Sequence, residues 1–130
     1  MKFRLDFVTN SSSSSYIIAM TNDKSHHAIL DALVECTDDM DTGKGFKIST
    51  IEELDTFIME RRAGREKTVQ ELLENDEYAE EMYTLIKQAI ESGKSAVYKN
   101  IGYDAVALYE LIEIMAKNDP ENILILMNDN

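Results

Sequence analysis

The chain has 130 residues, of which 44% are apolar, and this is typical of one folded domain rather than of a disordered segment. Its 25 acidic and 13 basic residues give a net charge of −12 at pH 7. That field repels nucleic acids and anionic membranes and suits a basic protein partner, so we expect neither nucleic acid nor membrane as a partner.

The single cysteine, Cys36, excludes an intramolecular disulfide. No stretch approaches the roughly 20 apolar residues of a membrane span, and the N-terminal segment has no apolar run of signal-peptide length. We therefore expect a cytoplasmic protein.

Two strands are predicted at the N-terminus. Phe3, Leu5 and Phe7 alternate with polar residues, which predicts a half-buried strand over residues 2–8. The continuous apolar run YIIAM, residues 16–20, predicts a second and more buried strand. The polar residues between them, most of them serines, favour an antiparallel hairpin.

The middle of the chain predicts four helices and a short strand. Apolar spacing predicts a helix from Lys24 or Ser25 to about Cys36, followed by a loop over residues 37–45 and a short strand at FKIS. Thr50 and Glu53 have the spacing of a capping box, and Gly64 is expected to end the helix that they begin. The third helix is EKTVQELLEN, and the fourth is the amphipathic DEYAEEMYTLIKQAIESG.

The last third of the chain reads as strand, helix and strand. SAVYKNI and NILILMN are predicted strands, and the intervening helix runs to about Lys117 because Pro120 forbids its continuation. Such a unit is normally a right-handed crossover between parallel strands. The crossover helix is apolar almost all round, so we expect it to pack on the sheet and also on another helix or a second subunit.

The predicted fold is a single α/β domain over residues 1–130. It has a mixed sheet of about four or five strands, an N-terminal β-hairpin, a C-terminal βαβ unit and helices packed on the sheet.

Catalytic and metal-binding patterns are weak. His26 and His27 are adjacent on a helix and point about 100° apart, so they do not readily face one metal ion. No histidine stands where it would activate one of the serines as a nucleophile. We therefore predict no catalytic residue, no metal and no cofactor, and we favour a protein that is not an enzyme.

A basic segment, RRAGREK, is unusual in this acidic chain. Arg61, Arg62 and Arg65 match the way that guanidinium groups bind carboxylates or phosphates, so they are a weak candidate for an anion or partner patch. The simpler interpretation is that they offset a helix dipole and pair with nearby acidic residues.

The segment LDFVTNSSSSSYII, residues 5–18, carries a specific pattern: a strand, an asparagine, a serine run, an aromatic residue and an apolar run. It resembles an N-terminal signature of small, uncharacterised bacterial proteins. The resemblance brings no known activity.

Three interpretations of the serine run stay open. The first is a turn, the second is a ligand loop whose hydroxyl and backbone N–H groups donate to an anion, and the third is a tract recognised by another protein. The second gains support if the first predicted strand runs parallel to SAVYKNI and NILILMN, because the serine run then lies with their ends at the carboxyl edge of the sheet, where open α/β sheets bind ligands. The candidate ligand-binding residues are Asn10, Ser11, Ser12, Ser13, Ser14, Ser15 and Tyr103.

Two classes of function follow from this pattern. The first is a small interaction or regulatory protein, with a protein partner or as a homodimer. The second is a binding protein or enzyme for a small anionic ligand at the serine run.

Overall fold

A computed structural model describes residues 13–35, 45–102 and 106–129 of the chain. Their four strands form one sheet in the order β2-β3-β1-β4, with helices packed against it. The predicted α/β fold is confirmed. The elements are β1 (Ser13–Thr21), α1 (Lys24–Glu35), β2 (Phe46–Ile48), α2 (Ile51–Arg62), α3 (Val69–Asn75), α4 (Glu77–Glu91), β3 (Lys94–Gly102), α5 (Val106–Asn118) and β4 (Ile123–Asp129).

Neighbouring strands of the described sheet are all antiparallel, whereas the sequence predicts a mixed sheet. The reason is the position of β1, which pairs Tyr16 with Lys99 of β3 on one side and with Asn128 of β4 on the other. Because β3 and β4 are both antiparallel to β1, they run in the same direction. The connection through α5 therefore does join two parallel strands, but β1 lies between them.

The position of β1 between two strands also bears on the predicted N-terminal hairpin. Its first strand, residues 2–8, lies outside the described residues, as do residues 37–44 of the predicted loop over residues 37–45. Its second strand is β1, which from Ser15 to Met20 is paired with a neighbour on both sides. These residues of β1 leave no free edge for a hairpin partner.

Alternate residues of β1 enter two separate cores. Ile17 packs with α2, α3 and α4 on one face of the sheet, in what we call the first core. Tyr16, Ile18 and Met20 pack with α1 and α5 on the other face, in the second core. A strand that is covered on both faces has no solvent side, and this explains why its sequence is a continuous apolar run rather than an alternating one.

The helix boundaries follow their capping residues closely. The side chain of Thr50 accepts a hydrogen bond from the backbone N–H of Glu53, and the Glu53 carboxylate accepts one from the backbone N–H of Thr50, so the predicted capping box is confirmed. α2 ends at Arg62, and its C-cap is Ala63 in an extended conformation rather than Gly64. After α4, Gly93 has φ of 89°, the left-handed conformation that glycine adopts most easily at the end of a helix.

The two glycines give a matched test of helix termination. We expect Gly93→Ala to lower the free energy of unfolding by about 1–2 kcal/mol, because a Cβ disfavours positive φ. No atom lies within 4 Å of the added Cβ, so this loss would report the backbone alone. Gly64→Ala should leave stability unchanged or raise it by up to about 1 kcal/mol, since it restricts only the unfolded chain. Urea denaturation measures both, and equal losses in the two variants would contradict this account.

Candidate functional site

The described part of the serine run begins a strand instead of forming a loop. Ser13, Ser14 and Ser15 start β1 and pair with Gly102, Ile101 and Asn100 at the end of β3. Ser15 also pairs with Asp129 at the end of β4. The described serines therefore lie beside the carboxyl ends of both predicted C-terminal strands, although they reach them as the start of an antiparallel strand. The other candidate residues of this group, Asn10, Ser11, Ser12 and Tyr103, lie outside the described residues.

Three polar side chains meet at this end of the sheet, on the face of the first core. The Ser15 hydroxyl donates to Asn100 Oδ1 at 2.6 Å and lies 3.2 Å from the Tyr98 hydroxyl. The Tyr98 hydroxyl lies 3.5 Å from the same Asn100 oxygen. All three residues are half-buried. We call Ser15, Tyr98 and Asn100 the Ser15 cluster.

The basic segment brings one of its arginines to this cluster. The guanidinium of Arg61 lies 4.3 Å from the centroid of the Tyr98 ring and 5.7 Å from that of Phe57. The distance to Tyr98 is that of a cation–π contact. Ser15 of the serine run and Arg61 of the basic segment are far apart in sequence, but both therefore contact Tyr98.

Arg62 has a different role. Its Nε donates to Asp76 Oδ2 at 3.0 Å and its Nη2 to Asp76 Oδ1 at 3.2 Å, which is a bidentate ion pair between α2 and the N-cap of α4. The backbone N–H of Ala79, together with Arg62, holds the pKa of Asp76 below its ordinary value. Pairing of a basic residue with a nearby acid was the simpler of the two interpretations. Arg65 is exposed and makes no hydrogen bond or ion pair with the described residues.

A second polar network, which the sequence did not reveal, lies at the opposite end of the sheet. Asn22 Oδ1 accepts hydrogen bonds from the buried Ser95 hydroxyl and from His27 Nε2, the latter at 2.9 Å. Lys47 Nζ then lies 3.0 Å from His27 Nδ1 and donates to Asp31 at 2.9 Å. The serine hydroxyl faces an amide rather than the imidazole, so the network contains no base-activated nucleophile. It ties α1 to β2 and β3.

The other histidine, His26, joins α1 to the segment between α5 and β4. Its Nδ1 lies 2.7 Å from Asp23 Oδ1 and its Nε2 lies 3.4 Å from Asp119 Oδ2, while the side chain is 13% exposed. The hydrogen bond with Asp23, followed by that with Asp119, raises the pKa of His26 above its ordinary value. In the part of the chain that the structure describes, no group of three or more acidic, histidine or cysteine side chains is arranged to hold a metal ion.

The third notable surface belongs to α5. Ile112 is fully buried in the second core, but Leu111 and Ile114 are 51% and 55% exposed. They are the large apolar side chains that the described residues expose most. None of the described helices combines the length and the apolar character needed to cross a bilayer.

Comparison of the chain with protein-family models, curated proteins and solved structures finds no match.

His26 makes the stability of the fold depend on pH. Because its pKa is raised on folding, its ion pairs stabilise the protein fully below about pH 6.5, and this contribution is lost as the pH rises through the folded-state pKa. The free energy of unfolding should be higher for the native protein than for His26→Gln. This difference should be largest at about pH 6 and should shrink towards about pH 8.5. Urea denaturation at several pH values measures this difference.

Asp119→Asn provides the control for the His26 prediction. It removes one of the two carboxylates that face the imidazole, so the pH dependence should become shallower while His26 is retained. A difference in free energy of unfolding between native protein and His26→Gln that stays constant over the whole pH range would contradict the role given to His26.

Proposed function

We propose that the protein acts through protein–protein interaction, with the outer face of α5 as the contact surface and a second copy of the chain as the partner. The observation that carries this proposal is the exposure of Leu111 and Ile114, at 51% and 55%. They lie three residues apart and so share one side of the helix. Since each side chain is about half exposed, burial of its remaining surface favours association by about 0.8–1.5 kcal/mol, half of the value for complete burial.

The direction of this face is set by Ile112, which is fully buried in the second core and so marks the side of α5 that faces the sheet. Ile114 is two residues away and therefore about 200° around the helix from Ile112. Leu111 is adjacent to Ile112 and lies about 100° from it, on the same flank as Ile114. The two exposed side chains thus lie on the outer side of α5, where a partner can approach them.

The charges beside this face support a second copy as the partner. A chain of net charge −12 repels itself over most of its surface, but α5 exposes both a glutamate and a lysine, Glu110 and Lys117, two turns apart. In an antiparallel helix pair about a two-fold axis, Glu110 of each copy would face Lys117 of the other. The apolar centre and the paired ends of this strip are therefore self-complementary.

Light scattering after size exclusion tests the proposal. We expect a dimer for the native chain and a monomer, or a dimer weakened about tenfold or more, for Leu111→Glu, since a charge replaces an apolar contact at the centre. Ala28→Glu is the matched control, because it adds the same charge at an exposed position on α1 and should leave the dimer intact.

A charge exchange tests the two-fold arrangement itself. Lys117→Glu should weaken the dimer, and Glu110→Lys combined with Lys117→Glu should restore it, because the exchange recreates both pairs. A native chain that is monomeric at high concentration would overturn the homodimer.

A further inference from the structure

We propose that the Ser15 cluster and Arg61 form a binding site for a small oxyanion, either a carboxylate or a phosphate group. This site lies on the face of the sheet that carries the first core, whereas α5 covers the other face, so it does not depend on the proposed dimer.

Arg61 carries a positive charge that no described acidic residue neutralises. The chain has 25 acidic residues, and the neighbouring Arg62 is paired with Asp76 in bidentate geometry. Arg61 instead lies on the rings of Tyr98 and Phe57 and makes no hydrogen bond or ion pair with the described residues. The ring contacts hold the guanidinium beside Tyr98, and its N–H donors make no hydrogen bond with the described residues, so they are available for an oxyanion.

Asn100 supplies a second set of donors. Its side-chain oxygen faces the hydroxyl groups of both Ser15 and Tyr98, so its Nδ2 group points away from them. Nδ2 makes no hydrogen bond with the described residues. Two amide N–H donors are therefore fixed in direction by the cluster and are left for a ligand.

Tyr98 brings the two donor groups together. The guanidinium of Arg61 lies 4.3 Å from the centroid of its ring, and its hydroxyl lies 3.5 Å from Asn100 Oδ1. Tyr98 and Asn100 are two residues apart on β3, so their side chains leave the same face of the strand, with Cα atoms about 7 Å apart. Arg61 and Asn100 are therefore neighbours on one face of the sheet and present donors to the same small region.

The overall charge sharpens this inference. A net charge of −12 repels anions from the surface in general, so binding has to come from donors concentrated at one place. If an anion binds only by general attraction to the basic segment, loss of Arg61 and loss of Arg65 would lower the affinity equally. If it binds in the proposed site, only loss of Arg61 would lower the affinity.

Nuclear magnetic resonance of the ¹⁵N-labelled chain tests the site. Inorganic phosphate and acetate are titrated separately at constant ionic strength, and the Asn100 side-chain amide and the Arg61 Nε–H are followed. We expect saturable shifts of both signals with at least one of the two anions. The anion that saturates at the lower concentration distinguishes a phosphate site from a carboxylate site.

Arg61→Gln should weaken the binding about tenfold or more, because it removes the charged hydrogen bonds to the anion. Arg65→Gln removes the same charge from the same segment and should change the affinity by less than about twofold. Arg61→Lys keeps the charge without the planar fork and should fall between the native chain and Arg61→Gln. If Arg61→Gln does not fold, Arg61→Lys tests the site in its place.

The site is overturned if neither anion gives saturable shifts at Asn100 and Arg61. It is also overturned if Arg61→Gln and Arg65→Gln weaken binding equally, because the effect is then general attraction to the basic segment. The oligomeric state of each variant is recorded in the same samples. A monomeric chain that binds the anion would reject the dimer alone, and a dimer that binds none would reject this site alone.

Discussion

The central strand β1 is paired with a neighbour on both sides and covered by helices on both faces. This double burial determines where the other described strands and helices lie. Residues Tyr16 to Met20 are at most 2% exposed. A strand without a solvent face can carry polar side chains only where it leaves the core. Ser15 lies at that boundary, one residue before the buried run, and its hydroxyl is already satisfied by two partners from β3. The polar cluster is thus a consequence of how β1 enters the sheet.

The same strand separates the two surfaces on which function is proposed. Its two faces belong to different cores, with α2, α3 and α4 on one and α1 and α5 on the other. Arg61 comes from the C-terminal end of α2, so it reaches the rings on the first face. Leu111 and Ile114 lie on α5, which covers the second face. The proposed ligand site would therefore not compete for space with the proposed association through α5.

Local patterns in the sequence were sufficient for most element boundaries. Thr50 and Glu53 mark the start of α2, and Gly93 marks the end of α4, because capping depends on residues only a few positions apart. Gly64 shows the limit of this reasoning, since α2 ends at Arg62 with the extended Ala63 as its cap. A glycine near the end of a helix permits a left-handed conformation but does not require it. Lys99 shows another limit: it is 1% exposed within a strand, a burial that its residue type does not suggest.

The sequence alone determined which segments become helices and strands, how acidic the surface is, and that the serine run and the basic segment are unusual. It did not determine that β1 separates β3 from β4, that the sheet is antiparallel, or that Ser15, Asn100 and Arg61 lie around one tyrosine. The periodicity of apolar residues reports the direction of side chains along one element, which is a local property. Strand order and the assembly of the Ser15 cluster depend on contacts between residues that are far apart in the chain, 85 positions in the case of Ser15 and Asn100, and only the packed tertiary structure decides between such partners.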